Sequence, residues 1–190
     1  MKKNIKRLLE TAAQTGVCGT GKRYLNTQEK DVHTIVKVIK GWPEYFYEHS
    51  ETIIDTIREN MDQETRNHLE FNNIFVDYQG DAQINWSDTG VYFIGNSDVT
   101  VRMKPFVVLK IYVFNQAKVT IHPANKAIIN VEAWNNSQVI IHPEETAQAS
   151  LYLYDQAHGT GAAKIEKKEY KRNQVFNGRE ETPPEKEGEN

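Results

Sequence analysis

Ile111–Tyr112–Val113–Phe114–Asn115–Gln116–Ala117–Lys118–Val119, Val131–Glu132–Ala133–Trp134–Asn135–Asn136–Ser137–Gln138–Val139 and Leu151–Tyr152–Leu153–Tyr154–Asp155–Gln156–Ala157 are one phrase written three times, each copy 20 residues after the last. Val91–Tyr92–Phe93–Ile94–Gly95–Asn96–Ser97–Asp98–Val99 fits the same frame. A constant period of this size, filled with alternating β-formers, is the signature of a solenoid in which each coil stacks on the one before. Stacking sets equivalent residues about 4.8 Å apart, so each position of the repeat becomes a column.

The columns divide by chemistry. Positions 1 (Val91, Ile111, Val131, Leu151), 3 (Phe93, Val113, Ala133, Leu153), 9 (Val99, Val119, Val139) and 11 (Val101, Ile121, Ile141) are apolar and are expected to point inward. Position 5 carries Gly95, Asn115, Asn135 and Asp155, the residue types that tolerate left-handed backbone at a corner. Position 7 (Ser97, Ala117, Ser137, Ala157) is always small, as a tight bend requires.

Strand alternation sends positions 2 and 4 to the opposite face. They hold Tyr92, Tyr112, Glu132 and Tyr152, then Ile94, Phe114, Trp134 and Tyr154. A contiguous aromatic strip on an outer face usually has a partner. Four occupants are open: other segments of this chain, a protein partner or second copy, a glycan stacked on the rings, or the strip itself as a cross-strand ladder. The candidate partner-binding residues are Tyr92, Ile94, Tyr112, Phe114, Trp134, Tyr152 and Tyr154. A second outward column holds Arg102, His122 and His142, and its two histidines share the context Ile–His–Pro. Two stacked imidazoles are short of the ligand number of a zinc site, so the column reads as a solvated corner and no metal is expected.

Upstream of the repeat the period is that of helices. Residues 2–14 place Ile5, Leu8, Leu9 and Ala12 at helical spacing, and a Gly-rich break follows over 15–23. A second helix is expected over 27–40 with Gly41 as its stop, a third over 51–60 capped by Ser50, and a short one capped by Asp62 and reaching Glu70. The period changes to two at Asn73, and Ile74–Ile84 overlays Val91–Val101 to give a first coil over 74–90. The fold class is therefore α+β: a helical subdomain over 1–72, then a short parallel β-solenoid of four to five coils over 73–163, right-handed by the crossover preference. Residues 164–190 are charged and read as a largely disordered tail, of which 164–171 could still form a short capping strand or helix.

The chemistry-bearing motifs are few. Gly16–Val17–Cys18–Gly19–Thr20–Gly21–Lys22–Arg23 resembles a phosphate loop, but Arg23 replaces the hydroxyl that would hold magnesium and a helix precedes it. Cys18 lies near Lys22 and Arg23, yet nothing places His33, His49 or His68 beside it. The solenoid's acids include Asp81 and Asp98, which the overlay puts in register; glycan cleavage would need a pair set across a cleft. Net charge is −3, and the basic and acidic side chains number 11 and 11 over 1–73, 5 and 8 over 74–163, and 7 and 7 over 164–190. No nucleic-acid partner is expected from that balance. One cysteine excludes an intrachain disulfide, and no run matches a signal-peptide core or a membrane span, so a cytoplasmic protein without membrane contact is expected.

The corners Asn115–Gln116–Ala117–Lys118–Val119, Asn135–Asn136–Ser137–Gln138–Val139 and Asp155–Gln156–Ala157 resemble those of the short parallel β-helix proteins common in Bacteroidota genomes, their phages and mobile elements. The resemblance spans about 74–163. It implies the fold and admits association with a virion; that group has no established activity, so no catalytic residue or cofactor follows from it. Pentapeptide-repeat proteins and bactofilins fit less well, the first for want of a five-residue period and the second for want of Gly-rich, uniform coils. The function expected from the residues is non-enzymatic: a binding or scaffolding protein that presents stacked aromatics to a macromolecular partner. A glycan-binding module and a self-assembling structural element are the alternatives, with a polysaccharide-cleaving enzyme behind them.

Overall fold

The computed structural model describes residues 32–41, 43–88, 90–162 and 164–168. The expected helix over 2–14, the phosphate-loop-like segment and Cys18 lie outside them. Three helices come first: α1 (Val32–Gly41), α2 (Pro43–Glu59) and α3 (Gln63–Phe71). In α1, Ile35, Val36, Val38 and Ile39 are buried. In α2, Phe46, Ser50, Ile53, Ile54 and Ile57 are buried at helical spacing. The third expected helix is longer than the sequence pattern implies. Pro43 suits its first position, and the break anticipated at Ser50 survives as non-helical backbone at His49 (φ −121°, ψ 16°). Asp62 caps α3 as expected, its Oδ1 accepting from the Thr65 backbone N–H at 2.7 Å.

Eleven strands follow: β1 (Ile74–Val76), β2 (Gln79–Asp81), β3 (Gly90–Ile94), β4 (Asp98–Arg102), β5 (Val108–Val113), β6 (Lys118–His122), β7 (Ile128–Ala133), β8 (Gln138–Ile141), β9 (Gln148–Tyr154), β10 (His158–Thr160) and β11 (Lys164–Lys168). Odd-numbered strands form one parallel sheet and even-numbered strands a second, in sequential order. This is a β-solenoid with two sheets, and its rungs advance by 20: Ile111 pairs with Val131, Val131 with Leu151, and Val99 with Val119.

Each corner after the odd sheet turns through left-handed backbone at position 5, with φ of 63° at Asn115, 61° at Asn135, 55° at Asp155 and 74° at Gly95. The column explains itself from one rung to the next. The Asn115 backbone N–H donates to Asn135 Oδ1 at 3.0 Å. At Gly95 a Cβ would lie 2.4 Å from Asp77 Oδ1, so only glycine fits.

Two corrections concern the ends of the solenoid. The overlay of Ile74 on Val91 is off by one. Ile74 pairs with Tyr92, Phe75 with Phe93 and Val76 with Ile94. A one-residue slip exchanges the faces of a strand, so Phe75 is the inward residue, stacked on Phe93 at 5.2 Å. In the next strand the overlay is off by two, which separates the two acids: Asp81 pairs with Thr100, and Asp98 pairs with Gln79 and Lys118. At the other end the solenoid runs past 163: residues 164–168 form the capping strand left open above, a sixth rung, β11, paired along β9.

The buried residues form two clusters on the two faces of the odd sheet. One fills the solenoid interior with Phe93, Ile111, Val113, Val131, Leu151 and their neighbours. The other joins α1, α2 and α3 to the outward side chains of that sheet. Strands buried on both faces read as near-continuous apolar runs, which is how Val91–Tyr92–Phe93–Ile94 reads.

Candidate functional site

The aromatic strip exists as a column. Tyr92 and Tyr112 stack at 4.8 Å, Phe114 and Trp134 at 6.2 Å, and Trp134 and Tyr154 at 3.7 Å with their rings 3° apart. It is not an open wall, however. Tyr92, Ile94, Tyr112, Phe114 and Trp134 are buried, and only Tyr152 and Tyr154 keep partial exposure. The occupant is α2 with its neighbours. Phe46 meets Phe114 edge-on at 4.8 Å, and Tyr47 lies 4.7 Å from Trp134.

Polar contacts fix the helices around this apolar contact. Arg58 Nε and Nη2 donate to Asp77 Oδ2 and Oδ1 at 2.7 and 2.8 Å, and Asp77 Oδ1 also accepts from the Asn96 backbone N–H at 2.7 Å. The Arg58 hydrogen bond holds the Asp77 carboxyl below the usual carboxylate range against the opposing effect of burial. Asn115 Nδ2 donates to the buried Ser50 Oγ at 3.0 Å, Tyr47 donates to Asp155, and Lys40 pairs with Asp88. The helices thus reach from the first rung to the rung of Asp155. Burial pushes the Tyr92 hydroxyl up, as expected for a phenol beneath helices. Tyr152 stays at the margin, with Lys168 Nζ over its ring at 4.2 Å.

The histidine column also forms as read. His122 and His142 stack with centroids 5.1 Å apart, and Arg102 pairs with His122 in register. Desolvation and the neighbouring Arg102 charge lower the His122 pKa. Among the described residues no group of three or more His, Cys, Asp or Glu side chains is placed to hold a metal ion. His33 and His68 meet edge-on at 4.1 Å, on α1 and α3.

Most of the solenoid's carboxylates have a partner in the fold. Asp77 binds Arg58, Glu132 binds Lys110 at 2.8 Å, and Glu144 accepts from the Asn125 backbone N–H at 2.8 Å. Asp155 and Asp88 hold the helices. Burial acts to lower the Lys110 pKa, but its hydrogen bonds to Glu132 and Tyr112 outweigh that and raise it.

Among the described residues, what remains open is the other side of the solenoid. The even sheet turns Asp81, Thr100, Thr120, Ile140 and Thr160 outward as one column. A second column, Gln79, Asp98, Lys118, Gln138 and His158, runs beside it. Where the chain rounds the corner from odd to even sheet, Gln79, Asp98, Lys118 and Gln138 of this second column and position 6 of the repeat (Asn96, Gln116, Asn136) line an open trough of about 500 Å³. Sequence reasoning missed it. The signal was present, since position 6 is an amide on four successive coils, Asn96, Gln116, Asn136 and Gln156. Turn residues are ordinarily read for backbone geometry alone, which hid it.

Among the described residues no helix is long and apolar enough to cross a membrane. No protein-family model, no curated protein and no solved structure matches the chain.

Proposed function

We propose that the chain is a non-enzymatic binding scaffold, a helix-buttressed solenoid that recognises a macromolecular partner through its uncovered side. The observation that carries this reading is the division of labour between the two sheets. The odd sheet packs its aromatic columns against α2, whereas the even sheet and its amide-lined corner keep regularly spaced polar groups that no element among the described residues covers. Hot-spot aromatics at an interface must be reachable, so Phe114 and Trp134 act as glue within the molecule, and recognition passes to the opposite face. Dispersed carboxylates, most of them engaged in the fold, favour binding over hydrolysis.

Self-assembly by end-to-end stacking is disfavoured by the last rung. β11 carries Lys164, Glu166, Lys167 and Lys168, and Lys167 pairs with Leu153, which places a charge in an inward column at the last described rung. Inward-pointing charges on an edge strand are a recognised guard against strand addition. With the resemblance noted above, the proposal places the protein in the cytoplasm when made, among the β-helix proteins that accompany phages and mobile elements.

The test is affinity capture from the producing cell with three baits: wild type, Thr120→Arg/Ile140→Arg on the even sheet, and Val108→Arg/Ile128→Arg on the uncovered shoulder of the odd sheet. Partners lost only from the even-sheet variant support the reading. Identical recovery with all three baits overturns it.

A further inference from the structure

We propose that the trough at the odd-to-even corner is a binding site for a neutral, linear glycan lying along the solenoid axis. The inference rests on the scaffold reading above and names its ligand class. Five primary amides face the trough: Gln79, Asn96, Gln116, Asn136 and Gln138. Each offers two N–H donors and a carbonyl acceptor, the complement of a sugar hydroxyl, which donates and accepts at once. Of these side chains, only that of Gln79 makes a hydrogen bond within the described chain, its Nε2 donating to the Asn96 carbonyl at 2.9 Å. The other four keep their full capacity for a ligand.

The periodicity selects a polymer. Equivalent amides recur on successive rungs about 4.8 Å apart, an advance comparable to one pyranose ring in an extended chain, so adjacent sugars meet the same donors and acceptors. The charge selects a neutral one. Asp98 and Lys118 are partners in register and opposite in sign, which leaves the trough without the unbalanced cations that bind phosphate or sulfate polymers.

Peptides fit the surface less well. No aromatic or aliphatic side chain lines the trough to take the apolar face of a helix. Strand addition is closed too, because the corner's backbone groups are already used between rungs: Gln116 N–H donates to the Gly95 carbonyl at 3.1 Å and Asn136 N–H to the Asn115 carbonyl at 2.9 Å. Nor does the site depend on ring stacking, since no ring lines the trough and the aromatic column lies on the outward face of the odd sheet, packed against the helices.

The experiment titrates the full-length, isotope-labelled chain with cellohexaose, maltohexaose, chitohexaose and a heparin hexasaccharide, reading the side-chain NH₂ signals of Asn and Gln. The expected result is saturable shifts of the Gln116, Asn136 and Gln138 amides with at least one neutral hexaose. Gln116→Ala/Asn136→Ala, exposed and checked for an unchanged melting point, should weaken that binding roughly tenfold or more, the equivalent of about 1.4 kcal/mol. Three results overturn the proposal: no neutral hexaose shifts these amides, heparin binds more tightly than every neutral sugar, or the shifted side-chain amides all lie outside the trough. The same double variant used as a bait separates this failure from that of the scaffold reading. Sugar binding absent but captured partners lost means that the trough recognises a protein and the glycan assignment is wrong. Sugar binding absent and capture unchanged removes the trough from the scaffold altogether.

Discussion

Removal of the Phe114 ring tests the central structural claim, that the aromatic column is an internal seam. Phe114 is fully buried, 4.8 Å edge-on from Phe46 and stacked between Tyr112 and Trp134 at 6.3 and 6.2 Å. Truncating a buried phenylalanine to alanine costs about 3–5 kcal/mol, because the transfer energy of the ring is lost and the cavity relaxes only in part. An edge-to-face pair contributes about 0.5–1.5 kcal/mol beyond area burial. Phe114→Ala should therefore destabilise the chain by about 3–4 kcal/mol. At roughly 2–4 °C per kcal/mol for a chain of this size, its midpoint falls by about 6–16 °C.

Thermal and urea denaturation followed by circular dichroism give the size of the effect, and amide exchange gives its location. Loss of the seam should release Ile35, Ile39, Ile53 and Ile57 on the helices before Val113 and Val131 in the solenoid interior, because the two clusters share only the odd sheet. A cycle with Phe46→Ala should show coupling of about 1 kcal/mol, since the two rings touch. An exposed strip behaves otherwise: surface substitutions stay within about 0.5 kcal/mol. A Phe114→Ala midpoint within about 2 °C of wild type, or strict additivity with Phe46→Ala, would refute the docking of α2 on the column.

Three further outcomes follow from the same geometry. Asp77 has a depressed folded pKa, so its contribution is fully present above the unfolded value near 3.9 and is lost as pH falls through the folded value. Asp77→Asn should flatten the acid limb of a stability-against-pH curve and cost only about 1 kcal/mol at neutral pH, because the Arg58 side chain is 40% exposed and the pair is partly screened; an unchanged acid limb counts against the clamp. Asn73 is fully buried at φ 56°, donates to the Asn85 carbonyl at 2.9 Å and accepts from the Asn85 N–H at 2.7 Å. Asn73→Ala should cost about 2–4 kcal/mol by urea titration, the sum of stranded backbone groups and left-handed strain, and a loss under about 1 kcal/mol would show that the clasp is dispensable. Lys167→Val removes the inward charge at the last described rung, and light scattering should then show concentration-dependent association that wild type lacks; a strict monomer would remove the guarding role from Lys167.

The solenoid was legible because its period is written in residues that depend on position rather than partner. Val91, Ile111, Val131 and Leu151 are inward whatever covers the other face, and Asn115, Asn135 and Asp155 mark a left-handed corner by their own backbone preferences. The register of the first rung was less legible. Ile74, Phe75 and Val76 are all apolar and all buried, so alternation carried no information, and only the pairing itself shows which way each side chain points. The second corner shows the same limit from another side. Phe106 and Lys126 adopt φ of 62° and 59° there, and neither residue type announces it.

The candidate site was legible only in outline, because an outward aromatic column carries no mark of whether its cover lies in the same chain. Particular residues on the helices did carry that mark once both were in view. Phe46, Tyr47 and Ile53 belong to one face of α2, and Arg58 lies 19 residues before the carboxylate it holds. The register shift at the first rung belongs to the same design. By turning Ile74 and Val76 outward it extends the apolar column to the end of the sheet, where α3 has just delivered the chain, and by turning Phe75 inward it plugs the interior with a ring stacked on Phe93. A solenoid sealed this way along one sheet leaves the even sheet and the amide corner uncovered among the described residues. The physical reason to look for a ligand there is that those columns repeat without being consumed by the fold.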